Sequence, residues 1–558
     1  MNITGSNSGH PVAPDWRPEA LPVAELLVRS ARQHPDRIAL DFMGRTWRYD
    51  ALLEGARAAA AGFQRIGVRP GTRVGLFLPN TPHYPIAYHG ALLAGATVVN
   101  FSPLYSPDEV AFQARDSGTE VMVCLDLKRL WAPMQRLLDK GMLRNLVVGS
   151  LVDVLPPLRS LGFRLLKRGE RQDLPQYERV VRWSTFLRSP AELKPVEVDP
   201  RSIALLQYTG GTTGVPKGAA LTHANLTANA QQLAAIDPGE GERTARVLAA
   251  LPLFHIFANS AVLNRSLMSG GTLYLLARFD AGEALAVIRR GRMTDLCGVP
   301  AMFQAMIDHP DVARTNFDSV QQCFSGGAAM TAVLKERFER TTGARVLEGY
   351  GLTETSGVVA VNPFVGETRA GTVGLPLPAT EIRITDPENP DRVLAGGETG
   401  ELQIKGPQVM VGYWQAAVEA PDPLPGGWLR TGDLGFVESG GYLRLVDRSK
   451  DMINVGGFKV FPSQVEAALL KHAAVKECLV IAVPDERVGE RPKAFAVLNE
   501  GAEASPTDLM TALCERIGKH ERPVAIEILD DLPRTMIGKP DRKALTKMDA
   551  ERRAAATS

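Results

Sequence analysis

Residues 203–218 read Ile203-Ala204-Leu205-Leu206-Gln207-Tyr208-Thr209-Gly210-Gly211-Thr212-Thr213-Gly214-Val215-Pro216-Lys217-Gly218. The opening residues form a short apolar run, the pattern of a strand buried on both faces. The run then breaks into glycines, threonines and one lysine. Glycine lets successive backbone N–H groups turn inward and approach an anion closely. The hydroxyls of Thr209, Thr212 and Thr213 add donors, and Lys217 adds a point charge. A strand followed by a phosphate-holding loop is the reading. The loop departs from the Walker pattern, because Gly218 stands where Ser or Thr should hold Mg²⁺ and Pro216 precedes the lysine. An ATPase of the Walker kind is disfavoured for that reason.

Working outward, residues 51–66 read as a helix and residues 73–78 as a strand ending in the turn Pro79-Asn80. Residues 86–101 read as a buried helix followed by a strand, and residues 121–125 and 145–148 as further short strands. Strands alternating with helices predict an α/β fold with largely parallel sheets. Past Gly396 the texture changes to strands at 401–405, 442–446 and 479–483, separated by Gly-rich turns, which predicts a β-rich subdomain. The charged knot Asp447-Arg448-Ser449-Lys450-Asp451 is read as the domain boundary. It divides the chain into residues 1–447 and a small α+β domain at 448–558, where a helix is expected at 507–517 and a strand at 524–529.

The chain has 558 residues, with 45% apolar and 22% charged side chains, ordinary for a globular protein. Lys+Arg is 63 against 62 for Asp+Glu, so no basic field exists to hold nucleic acid. The five cysteines form no CxxC, which disfavours a disulfide framework or zinc knuckle and fits a reducing cytoplasm. The N-terminus lacks the charged-then-apolar pattern of a signal peptide, and no apolar run of about 18 residues marks a membrane span. One stretch stands apart. From Leu155 to the end at Gln172 it mixes Leu158, Leu161, Phe163, Leu165 and Leu166 with Arg159, Arg164, Lys167, Arg168 and Arg171. Such a segment can lie on an anionic membrane surface, but two prolines and Gly162 interrupt the pattern and favour a surface helix whose apolar face packs on its own domain.

The loop at 208–218 resembles the signature of the acyl-adenylate-forming enzymes, which include acyl-CoA synthetases, luciferases and peptide-synthetase adenylation domains. The resemblance continues through Glu348-Gly349-Tyr350-Gly351-Leu352-Thr353-Glu354, Arg430-Thr431-Gly432-Asp433, Val446-Asp447-Arg448-Ser449-Lys450-Asp451 and Leu532-Pro533-Arg534-Thr535-Met536-Ile537-Gly538-Lys539, in that order. Within the family, the phrases LPLFHIFA, GPQVMVGYWQ and GWLRTGDLG look most like bacterial long-chain fatty acyl-CoA ligases. The resemblance implies ligation of an acid to coenzyme A through an acyl-AMP, with ATP as cosubstrate and Mg²⁺ as cofactor. Alternatives are a medium-chain or aryl acid substrate, an acyl-AMP ligase serving a separate carrier protein, and a non-catalytic sensor on a decayed enzyme. Intact Glu354, Asp433, Arg448 and Lys539 weigh against decay.

The chemistry accounts for these residue types. A carboxylate becomes a good acyl donor once AMP is its leaving group. Bringing a carboxylate to a triphosphate sets like charges together at about 4 kcal/mol per unit pair 4 Å apart at an effective dielectric near 20, so the protein must supply cations. By resemblance, Thr209, Gly210, Gly211, Thr212, Thr213, Gly214 and Lys217 grip the β- and γ-phosphates, Thr353 touches the α-phosphate and Glu354 holds Mg²⁺. Tyr350 stacks on adenine beside Gly327 and Ala328, Asp433 accepts hydrogen bonds from the ribose hydroxyls, and Arg448 adds a contact. Lys539 is the catalytic lysine of the first step, and Lys450 the hinge. Gly456, Gly457 and Lys459 enter for the second step beside the pantetheine path. Phe254, His255, Val299, Met302, Phe303 and Gly326 form the acyl walls, with Gly326 and Gly327 leaving room for a long chain.

Overall fold

The computed structural model describes residues 2–4, 10–188, 192–209, 216–239, 241, 243–415, 422–456, 458–485, 487–535 and 540–557. The chain forms two compact units: residues 3–381 with 404–429, and residues 382–403 with 430–558 together with the first two residues.

The larger unit is built on two sheets. In the first, six strands run parallel, in the spatial order Ile203–Thr209, Thr97–Asn100, Arg73–Leu76, Val121–Leu125, Asn145–Gly149 and Val180–Arg182. Two antiparallel strands, Lys217–Thr222 and Gly412–Tyr413, extend its edge. The inner strands Thr97–Asn100 and Val121–Leu125 are short and wholly buried, as apolar runs covered on both faces must be. The expected helix at 51–66 is Tyr49–Arg65, which packs on the buried helix His83–Leu93, and the latter lies against Arg73–Leu76 and Thr97–Asn100. The second sheet sets Val346–Tyr350, Gln322–Ser325, Asp295–Gly298, Arg246–Ala249, Thr272–Leu275 and Ile38–Phe42 side by side in parallel. Its helical cover packs Phe303, Phe338, Leu285 and Ile288 into one core.

The smaller unit carries most of the β-rich sheet that joins Glu381–Thr385, Gly400–Lys405, Leu429–Val437 and Leu443–Arg448. It also carries a five-stranded sheet centred on the long antiparallel pair Val475–Asp485 and Gly489–Leu498. The helices Pro462–Leu469 and Pro506–Cys514 pack on one face of that pair, and the helix Arg542–Thr557 on the other. Among the described residues no helix is long and apolar enough to cross a membrane.

Candidate active site

Thr209 and Lys217 face each other across an antiparallel pair, so the Gly-Thr loop connects the two arms of a hairpin. Gly210, Gly211, Thr212, Thr213 and Gly214 lie outside the described residues. The mouth of the hairpin is braced from three sides. The Tyr208 hydroxyl donates to Asp116, and burial beside that carboxylate pushes the phenol pKa upward, so the donor keeps its proton. Gly218 is flanked by the Tyr208 ring and Trp414, and a Cβ there would stand 3.1 Å from that ring. Trp414 closes the frame, its N–H donating to the Gly218 carbonyl at 2.7 Å and its indole to the Asp116 carbonyl at 3.2 Å.

Glu354 sits on the short 3₁₀ turn Thr353–Thr355. Its Oε1 accepts from the Tyr413 hydroxyl at 2.8 Å. The same Tyr413 ring lies 5.2 Å beneath the Lys217 ammonium, within cation–π range. Tyr413 thus joins Lys217, at the end of the Gly-Thr loop, to the Glu354 carboxylate. Burial, reinforced by Glu354, raises the Tyr413 pKa, which keeps it a donor. The turn itself is rigid. Asn229 clasps Val358 through both its amide atoms, Ser356 donates to the Gln408 carbonyl, and Met410 N–H donates to the Glu354 carbonyl. Gly351 is obligatory here: a Cβ would fall 1.6 Å from the Gly357 carbonyl oxygen.

Four neighbouring parallel strands deliver the remaining candidates at their C-terminal ends, where open α/β sheets bind ligands. Tyr350 ends Val346–Tyr350, Gly326, Gly327 and Ala328 follow Gln322–Ser325, Val299 and Met302 follow Asp295–Gly298, and Phe254 and His255 follow Arg246–Ala249. Asn80 holds the last of these connections, donating to the Ala249 and Leu251 carbonyls and accepting from Leu253 N–H. Two expectations for the acyl walls change. Phe303 is fully buried, edge-on to Phe338 at 5.0 Å, and belongs to the core. The space beside Gly326 is filled by the Phe257 ring, 3.1 Å from where a Cβ would stand, so this glycine admits an aromatic neighbour in place of free volume. Phe257 and Tyr413 both lay unassigned inside phrases that carried the family resemblance. Their roles come from strand-end and edge-strand contacts that no residue spacing expresses.

In the smaller unit, Asp433 lies on the strand Leu429–Val437, directly opposite Arg448 on Leu443–Arg448. The nearly buried Asp433 carboxylate takes the Arg448 Nε at 2.9 Å, so the two form a preset pair. The preceding turn of chain is pinned by Glu401, which binds Arg430 at 2.6 Å and the Gly432 N–H at 3.2 Å. Lys450 sits exposed on the 3₁₀ turn Ser449–Asp451, and Gly456 bonds the Val488 carbonyl with φ +59°. Gly457, the Lys459 side chain and Lys539 lie outside the described residues. The segment that carries Lys539 has a defined base: Arg534 bridges Pro540, and Asp541 N–H donates to the Pro533 carbonyl at 2.7 Å. Arg542 then ties this base to Glu466 at 2.8 Å and to Asp451 at 3.8 Å.

A hairpin that carries a Gly-Thr loop, beside a braced carboxylate at the edge of an open α/β sheet, is an arrangement suited to a nucleotide phosphate. Residues 27–414 match the AMP-binding enzyme family and residues 464–539 the AMP-binding enzyme C-terminal domain. The chain belongs to the AMP-binding enzyme family. It is similar to a long-chain-fatty-acid–CoA ligase of Bacillus subtilis (strain 168), 36% identical over 94% of each chain. A feruloyl-CoA synthase of Amycolatopsis is 33% identical over 92% of this chain and 96% of that one. Among solved structures, the o-succinylbenzoate coenzyme A synthetase of Bacillus subtilis in complex with ATP and magnesium ion aligns with a TM-score of 0.77 at 29% identity, covering 93% of this chain and 99% of that one.

Proposed function

We propose that this enzyme ligates a long-chain fatty acid to coenzyme A through an acyl-adenylate, consuming ATP and releasing AMP and pyrophosphate. The observation that carries the reading is the Lys217–Tyr413–Glu354 chain at the mouth of the Gly-Thr hairpin. It sets a cation and a hard oxygen donor side by side, as a triphosphate with its counter-ion requires. The Glu354 carboxylate fits Mg²⁺: one oxygen is oriented by Tyr413 and the other accepts no hydrogen bond among the described residues. A single carboxylate completed by substrate phosphates is the usual Mg²⁺ donor set. When bound, the ion supplies charge that offsets the phosphate oxygens.

The chain's own residues then divide the work. Thr209, the loop glycines and threonines, and Lys217 hold the β- and γ-phosphates, and Thr353 meets the α-phosphate. Tyr350 covers adenine beside Gly327 and Ala328. Asp433 binds the ribose hydroxyls, kept in its rotamer by Arg448. Lys539 bridges the acid carboxylate and the α-phosphate as the new P–O bond forms and pyrophosphate leaves. Residues 448–558 move as a body about Lys450, withdrawing Lys539 and bringing Gly456, Gly457 and Lys459 to the pantetheine path. The thiol then attacks the acyl carbonyl and AMP departs. We place this reaction in the cytoplasm, with peripheral contact at the inner face of the membrane.

Long-chain preference is supported by the relatives' names and by the apolar Phe254, Phe257, Val299 and Met302 at adjoining strand ends. The feruloyl-CoA synthase relative makes an aryl acid the second reading. The test is a panel of acids from C2 to C18 plus aryl acids, scored for AMP formation with and without coenzyme A. Highest kcat/KM at C14–C18, with AMP release dependent on coenzyme A, is the expected result. A preference for aryl acids would reverse the substrate assignment, and no adenylation of any acid would overturn the function.

A further inference from the structure

The helix Pro157–Leu166 turns its leucines away from the protein. Leu158, Leu161, Leu165 and Leu166 are 85%, 55%, 71% and 85% exposed, and Ser160 is the helix's one buried residue. On a 3.6-residue turn, Leu158, Leu161 and Leu165 share one side and Ser160 lies opposite. Arg159 and Arg164 flank the stripe, one on each side. The segment therefore does not pack its apolar face on its own domain.

It is nevertheless held in place. Ser160 Oγ donates to the Val152 carbonyl at 3.0 Å, and Arg45 donates to the Asp153 carbonyl at 2.7 Å just before the helix. After it, Arg171 pairs with buried Asp126 at 2.9 Å and bridges Leu127, and Gln172 N–H donates to the Asp126 carbonyl at 2.8 Å. An outward apolar stripe on a helix fixed at both ends is a presented surface. Its surroundings are basic: residues 155–172 carry five cations against one acid, Glu170, which is matched by Lys167. Arg164 lies near enough to the exposed Asp153 to favour its carboxylate form, and Arg159 and Arg168 are exposed without a salt bridge among the described residues.

We propose that Pro157–Leu166 docks the enzyme on an anionic lipid surface, its leucines entering the acyl boundary while Arg159, Arg164 and Arg168 meet lipid phosphates. Charge complementarity selects this occupant: a second copy of the chain would bring the same cations against these. The benefit to catalysis, capture of a membrane-borne acid, rests on the function proposed above. The docking itself does not.

The test is sedimentation of the full chain with vesicles of phosphatidylcholine containing 30% phosphatidylglycerol, without ATP, acid or coenzyme A. Wild type is expected to bind, and to bind weakly to phosphatidylcholine alone or at high salt. Each of Leu158→Glu and Leu165→Glu should weaken binding at least about tenfold, since burial of a leucine is replaced by an acid facing anionic lipid. Arg159→Gln and Arg168→Gln should each cost about fivefold. In Leu165→Trp, vesicles should shift the tryptophan emission to the blue. Both leucine sites are exposed, so unchanged thermal unfolding and unchanged ligation of a medium-chain acid in vesicle-free buffer confirm folded variants. Absence of vesicle binding by wild type, binding indifferent to the leucine variants, or leucine-dependent self-association without vesicle binding would each overturn the proposal. An aryl acid preference in the panel would leave the vesicle result intact.

Discussion

Removing one oxygen atom tests the proposed link between the Gly-Thr loop's Lys217 and Glu354, the proposed Mg²⁺ ligand. Tyr413→Phe deletes the hydroxyl that donates to Glu354 Oε1 at 2.8 Å, while keeping the ring 5.2 Å from the Lys217 ammonium. A hydrogen bond to a charged group contributes about 1.5–3 kcal/mol, which at 1.4 kcal/mol per decade is a factor of about 10–150. Groups that orient a metal-binding carboxylate lie in the same range, about 10–100-fold. The Glu354 turn is braced separately by Asn229, Gln408 and Met410, so the loss should fall on the carboxylate's aim and leave the fold intact. The assay is acid-dependent exchange of labelled pyrophosphate into ATP across a magnesium titration. The expected result is a 10–100-fold lower exchange rate, a higher magnesium requirement and an unaltered unfolding temperature. Tyr413→Leu, which also removes the ring beneath Lys217, should lower exchange further and raise the KM for ATP. If Tyr413→Phe exchanges at the wild-type rate with the wild-type magnesium dependence, Tyr413 positions nothing and the chain from Lys217 to Glu354 is incidental.

Lys539→Ala should slow adenylation by about 10²–10³ or more while sparing thioester formation from preformed acyl-AMP, and Lys450→Pro should do the reverse; equal losses in both steps would contradict the moving-domain account. Gly351→Ala forces a Cβ to 1.6 Å from the Gly357 carbonyl, so the Glu354 turn must shift; the soluble yield or unfolding temperature should fall sharply, and a wild-type melting curve would refute the clash. Glu466 is pushed up to about 7, chiefly by burial, against pairing with Arg542. Because its folded pKa lies above the unfolded value, the unfolded chain ionises first as pH rises, so stability should decline from about pH 4.5 to 7 by on the order of 3 kcal/mol. Glu466→Gln should flatten that decline in denaturant titrations, and an identical slope in the variant would show that another group is responsible.

Much of this enzyme was legible in the order of its residues. Strand-then-glycine at Ile203–Thr209, the alternation before it and the change of texture past Gly396 follow from local rules: apolar runs seek a core, and glycines appear where backbone must approach an anion. The roles proposed for Glu354, Asp433, Arg448 and Lys450 rest on the sequence because each sits in a contiguous motif. Contacts between distant segments were not. Tyr413 acquires its role because Gly412–Tyr413 pairs with the edge strand that begins at Lys217, and Phe257 because its ring fills the gap at Gly326. Phe303 falls in the core, since helix Pro300–Asp308 turns that position toward Phe338. The leucines of Pro157–Leu166 could equally have faced inward; periodicity defines an apolar stripe, and only the fixed ends of that helix decide which way the stripe points.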